Sequence, residues 1–240
     1  MMHPNTPSPY PLPPRGRGVL ECTLVGRPRE SNQSMSRDPL RLAVLISGGG
    51  RTLLNLHQRI VDGSLRAVIT SVVSSRGDVA GVTRSRDAGL TTVVVERRRL
   101  SPDAFQGEVT QAIAGVDLIC MAGFLSLWRI PDEFYGKVIN IHPALLPEFG
   151  GAGMYGMRVQ RAVLAAGKKI SGCTVHFCDN QYDHGPIILQ RTVPVLAADT
   201  PDTLAARVYE QECIAYPAAI QLFADGRISL DAGTVQVTPQ

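Results

Sequence analysis

The chain of 240 residues is 44% hydrophobic and 19% charged, which excludes an unfolded or fibrous polypeptide and leaves room for one sizeable domain or two small ones. Apolar runs such as 42–46 and 93–95 are too short to cross a bilayer, and a net charge of +3 spread along the chain lacks the dense basic stripe of a nucleic-acid binder. Five cysteines, odd in number and without CxxC spacing, read as reduced thiols of a cytoplasmic protein rather than as a disulfide framework or a zinc site.

Residues 1–39 are rich in proline and arginine and sustain no apolar period, so they are expected to form a disordered tail. A basic start followed by an apolar run is missing, which argues against a signal peptide; Met35, just ahead of the ordered region, makes an over-called upstream start a live explanation of the tail. From Leu40 onward short apolar runs alternate with helical spacing. Strands are expected at 42–46, 68–73, 91–95, 118–121 and 138–141, with helices after 51, over 79–88 and from Ser101-Pro102, where Ser is the N-cap and Pro the first helical residue. Strands apolar on both faces, alternating with helices, imply a parallel α/β sheet covered on both sides. The last third changes character: a helix over 157–166, then strands at 172–178 and 187–195 joined by one loop, which predicts an antiparallel addition. A long helix capped by Thr200-Pro201-Asp202 runs to about Phe223. The expected organisation is a single domain over 40–231 with a C-terminal tail over 232–240.

Three stretches carry chemistry. Ser47-Gly48-Gly49-Gly50-Arg51-Thr52 joins the first strand to its helix; glycines admit close approach of an anion, and a helix N-terminus offers unpaired N–H groups. The GxGxxG match fails at Leu53 and no GK[ST] follows, so the loop reads as a site for one phosphate, with a ligand-free tight turn as the plainer reading. Asn140-Ile141-His142-Pro143 places a carboxamide and an imidazole on one side of a strand end, which suits oxyanion stabilisation and proton transfer; a structural histidine is the alternative. In the loop 179–186, Asp183 is either a turn former or the carboxylate that pairs with His142 and favours its imidazolium. His176 either lines the cleft or is a satisfied core residue, and no spacing among His142, His176, Asp183 and His184 matches a metal motif.

The segments VLISGGGRTLLNL, MAGFLSLW, VINIHPALLPEFGG, SGCTVHFCDNQYDHGPIILQRTVPV and ARVYEQECIAYP together resemble the phosphoribosylglycinamide formyltransferases, over about residues 41–230. The resemblance implies the formyltransferase fold, a Rossmann-like, mostly parallel sheet with helices on both faces and an antiparallel C-terminal addition. It implies transfer of the formyl group of 10-formyltetrahydrofolate, as co-substrate and without a metal, to the amine of glycinamide ribonucleotide in purine synthesis. By the same resemblance Asn140, His142 and Asp183 are the catalytic trio. Gly50, Arg51 and Thr52 form the phosphate loop, and Glu212 holds the ribose. Leu125, Ser126, Leu127 and Trp128, with Asn140, contact the formylfolate, and the loop 178–183 helps enclose the pterin. Small-molecule substrates, no nucleic acid or membrane, and a monomer or homodimer are expected.

The chain departs from the family pattern at Gly49-Gly50-Arg51-Thr52, where the loop usually reads NGSN, at Ser126, where arginine is common, and in the glycine-dense stretch 148–156. The family's folate-tail arginine falls among Arg97, Arg98 and Arg99 without a firm assignment. A methionyl-tRNA formyltransferase would be expected to add a C-terminal RNA-binding domain, and a 10-formyltetrahydrofolate hydrolase an N-terminal regulatory one. A binding protein without catalysis would keep the glycine loop and dispense with the trio.

Overall fold

The computed structural model describes residues 38–231 and 233–238. The tail expected over 1–39 lies outside these residues, apart from Asp38 and Pro39. In chain order the elements are β1 (Leu40–Ile46), α1 (Arg51–Val61), β2 (Ala67–Ser74), α2 (Ala80–Asp87), β3 (Thr92–Val94), α3 (Pro102–Ala112), β4 (Leu118–Met121) and β5 (Val138–His142). After these come α4 (Met157–Ala165), β6 (Ile170–Phe177), β7 (Ile187–Pro194), α5 (Pro201–Ala224), β8 (Ile228–Asp231) and β9 (Thr234–Val237). Seven strands form one sheet in the order β3-β2-β1-β4-β5-β6-β7. β1 to β5 are parallel, while β6 and β7 are antiparallel additions, as expected.

The continuous apolar run of β1 is explained by burial on both faces. Leu42, Val44 and Ile46 join the core under α1, α4 and α5, with Leu53, Leu56, Val163, Val208 and Tyr216. Ala43 and Leu45 face the opposite core, with Phe105 and Val109 of α3. Helix starts follow their caps: Ser101 Oγ accepts from Ala104 N at 3.2 Å, and Thr200 with Thr203 forms a reciprocal box at the head of α5. The expected tail 232–240 needs correction. Thr234–Val237 pairs with β8 as an antiparallel hairpin, turned at Gly233 with φ 78°, and Leu230 and Val235 pack onto the core. A four-residue strand carries too short an alternation to be read from the sequence alone.

The order of connections reverses between β1 and β4, and loops at such a point form a crevice at the carboxyl ends of the strands. Here the two loops are tied together. Ser47 N donates to Gly123 O at 3.0 Å, and Ser47 Oγ accepts from Leu125 N at 2.9 Å. On the other side the glycine loop lies directly on α2: Gly81 N donates to Gly48 O at 3.0 Å. A Cβ on Gly81 would stand 2.5 Å from that oxygen and 2.8 Å from Ile46 Cδ1. Gly81→Ala is therefore expected to lower stability by about 1–2 kcal/mol, despite the ~1 kcal/mol that alanine gains over glycine in a helix. A denaturant midpoint equal to or above wild type would show that the loop yields at no cost.

Candidate active site

The loop after β1 is built for close backbone approach. Gly50, the N-cap of α1, has φ 71° and supplies no side-chain cap, so the first-turn N–H groups have no side-chain cap acceptor. A Cβ there would come within 2.9 Å of Gly81 Cα. Arg84 Nη1 donates to Gly49 O at 2.6 Å and fixes the loop from the α2 side, a contact that sequence spacing does not signal. Arg51 and Thr52 line the same cleft, of about 560 Å³, as Gly48, Gly49 and Gly50. The Arg51 guanidinium lies over the Tyr209 ring of α5, 4.2 Å from its centroid.

At the far side of this cleft, β5 delivers Asn140 and His142, and the loop after β6 delivers Asp183 with φ 52°. Asp183 Oδ1 is 3.4 Å from His142 Nδ1 and 3.4 Å from Asn140 Nδ2, while Oδ2 accepts from Gly151 N at 3.0 Å. The expected pairing of Asp183 with His142 is thus present in the geometry. Burial pushes the Asp183 carboxyl up, but the His142 hydrogen bond and charge and the Gly151 N–H outweigh it, so its pKa lies below the usual carboxylate value. His142 Nε2 donates to Phe149 O at 2.9 Å. Both nitrogens of this buried ring therefore face acceptor oxygens. The glycine-dense stretch after Pro147 is tied to the cluster through Phe149 O and Gly151 N, which its composition does not reveal.

His176 is the cross-strand partner of Asn140 in the β5–β6 ladder. Its Nδ1 donates to Phe177 O at 2.8 Å, which leaves Nε2 to accept from Asn140 Nδ2 at 3.2 Å. Burial lowers the His176 pKa, in keeping with this neutral tautomer. Glu212, one turn of α5 beyond Tyr209, also lines the cleft. Burial pushes its carboxyl up to about 7, against the opposing charges of Arg51 and His142.

Leu125 lines both the main cleft and an adjoining cavity of about 610 Å³; Ser126 and Leu127 line the adjoining cavity. Trp128 is buried in the α3-side core, its Nε1 donating to Thr110 Oγ1 at 3.1 Å, and it borders a small recess with Asn140, His176 and Asp183. Arg97 and Arg98 line the adjoining cavity, and so does Arg129, which the motif comparison passes over. Among the described residues no group of three His, Cys, Asp or Glu side chains is placed to hold a metal ion. No helix among them is long and apolar enough to cross a membrane.

The folded-state carboxyl of Glu212 titrates higher than in the unfolded chain. The folded protein therefore holds a proton between about pH 4.5 and 7 that the unfolded chain releases, and stability from this group falls as pH rises through that window. Glu212→Gln is expected to gain stability over wild type at pH 8 relative to pH 5, by about 2–3 kcal/mol. Urea midpoints of both proteins at the two pH values measure it; an equal difference at both would show that Glu212 titrates normally.

Residues 40–220 match the Formyl transferase family. The chain is 36% identical over 214 residues to the chloroplastic phosphoribosylglycinamide formyltransferase of Vigna unguiculata, covering 85% of this chain and 68% of that one. It is 37% identical over 196 residues to the phosphoribosylglycinamide formyltransferase of Haemophilus influenzae, covering 79% and 90%. The crystal structure of glycinamide ribonucleotide transformylase 1 from Symbiobacterium toebii superimposes with a TM-score of 0.77 at 37% identity, over 84% of this chain and 95% of that one. On fold and sequence together, this chain belongs to the phosphoribosylglycinamide formyltransferases of the Formyl transferase family.

Proposed function

We propose that this chain transfers the formyl group of 10-formyltetrahydrofolate to the primary amine of N1-(5-phosphoribosyl)glycinamide, a step of purine synthesis. One observation carries the reading: the helix N-terminus with its glycine loop and the Asn140–His142–Asp183 cluster open into a single cleft. That arrangement suits a substrate with a phosphate at one end and a nucleophilic amine at the other. Gly50, Arg51 and Thr52 receive the phosphate, and the Glu212 carboxylate accepts from ribose hydroxyls. The formylfolate lies along Leu125 to Trp128, and the arginines of the adjoining cavity, Arg97, Arg98 and Arg129, suit its anionic tail.

In the transfer the amine adds to the formyl carbon, the carbonyl oxygen takes the negative charge, and the C–N bond to the folate nitrogen then breaks. Asn140 Nδ2 and His142 Nδ1 each lie 3.4 Å from Asp183 Oδ1, loose contacts that leave both groups able to turn toward an oxyanion formed beside that carboxylate. Contacts of this kind tighten onto an oxyanion as it forms, and one such donor is worth about 2.7–4 kcal/mol. Asn140 Nδ2 and protonated His142 fill that role. The proton leaving the amine reaches the folate nitrogen through His142 or a water held at Asp183. Asp183, ionised at neutral pH, holds the positive ring in place. The described cysteines are free thiols, which supports a reducing compartment, read here as the cytoplasm. A monomer or homodimer completes the reading.

Purified protein given both substrates is expected to form the formylated nucleotide; release of formate with no formylated nucleotide would establish the hydrolase reading instead. Asp183→Asn is expected to cut kcat about a hundredfold or more and to shift the acidic-to-neutral limb of its pH profile, with KM values changing far less. Full kcat with an unaltered profile would reduce Asp183 to a turn former. Arg51→Ala is expected to raise the nucleotide KM several-fold to a hundredfold, about 1–3 kcal/mol, with little effect on the folate. An unchanged nucleotide KM would leave the phosphate to the backbone amides alone.

A further inference from the structure

Arg51 is the only Lys or Arg among the described residues lining the 560 Å³ cleft. A phosphate monoester carries nearly two negative charges at neutral pH, so the placement of this one guanidinium decides how much of that charge is met. Left to itself, an exposed arginine samples many rotamers, and a carboxylate at hand would draw it away from a phosphate. Glu212 is such a carboxylate, one turn along α5 from Tyr209, and it feels the charge of Arg51. Yet no described carboxylate lies within ion-pair distance of Arg51. What holds it is the face of Tyr209, 4.2 Å from Cζ to the ring centroid. A stacked guanidinium uses its π face for the ring and keeps its N–H donors, which lie in its own plane, free for an anion.

We propose that Tyr209 is a positioning residue for nucleotide recognition: its ring holds Arg51 off Glu212 and presents the guanidinium edge to the phosphate at the head of α1. This rests on the proposed phosphate role of Arg51. Neither partner is signalled by the other in sequence, since 158 positions separate them.

The test is steady-state kinetics of the full chain with both substrates. Tyr209→Leu is expected to raise the nucleotide KM about three- to thirtyfold, with kcat and the folate KM within about twofold of wild type. Tyr209→Phe, which keeps the ring face and loses only the hydroxyl, is expected to retain most of the wild-type KM. In an Arg51→Ala background, Tyr209→Leu is expected to add no more than about twofold, because the group it positions is gone. Arg51→Lys leaves Tyr209 intact and keeps the charge but not the planar stack; it is expected to raise the nucleotide KM as well, and it serves as an independent readout should Tyr209→Leu fail to fold. Wild-type KM in Tyr209→Leu or Arg51→Lys, or a full additive loss in the double variant, would overturn the proposal. If Arg51→Ala itself leaves the nucleotide KM unchanged, the phosphate role of Arg51 fails first; if Arg51→Ala raises KM and Tyr209→Leu does not, only the role of Tyr209 fails.

Discussion

A carboxylate removed from water must be met by donors or it will not stay ionised, and the cleft is organised around that constraint at Asp183. Its side chain is only 11% exposed. One oxygen is met by the backbone of Gly151, the other by His142 and Asn140. Three separate stretches are thereby drawn to one point: the strand end of β5, the glycine-dense loop behind it and the turn after β6. The left-handed backbone at Asp183, uncommon for a residue with a Cβ, aims the carboxylate inward at this meeting place.

The opposite end of the cleft works by a different balance. Here the acceptor-poor feature is the helix N-terminus and the donor-rich feature is Arg51, with Glu212 between them and the His142 cluster. Burial disfavours the Glu212 charge while Arg51 and His142 favour it, and the two influences leave the carboxyl close to neutrality in pH. A ligand anion at the glycine loop would offset Arg51 and so favour the protonated form of Glu212; a set of hydroxyls beside Glu212 would favour the ionised one. A ligand carrying both an anion and hydroxyls would thus act on the same carboxyl in opposite senses.

Much of this was readable from residue order because it depends on local pattern. The unbroken apolar run of β1 predicts burial on both faces, and the two cores beneath and above it are the consequence. The two-residue spacing of Asn140 and His142 predicts a shared side of β5, and both line the cleft. The expected strand ends agree within about two residues, as far as hydrogen bonding at a frayed end permits. What stayed hidden depends on chain crossings. Arg84 on Gly49, Tyr209 under Arg51 and Phe149 O on His142 are set by how α2, α5 and the 148–156 loop pack, and no period or spacing encodes them. Trp128 shows the same limit within one motif: it stands beside Leu125 and Leu127 in sequence, yet those two are exposed while it enters the core.

His176, buried at the edge of the small recess beside Asn140, determines the polarity of that side chain. With Nδ1–H committed to Phe177 O, the ring offers Asn140 a lone pair and nothing else. Asn140 must answer with its NH₂ group, and that orientation turns the second N–H toward the Asp183 oxygen at 3.4 Å. Were His176 protonated, Nε2 would become a donor, the carboxamide would do best to present its oxygen, and that oxygen would face the Asp183 carboxylate. Burial, which holds His176 in its neutral form, is therefore what keeps Asn140 a donor toward Asp183.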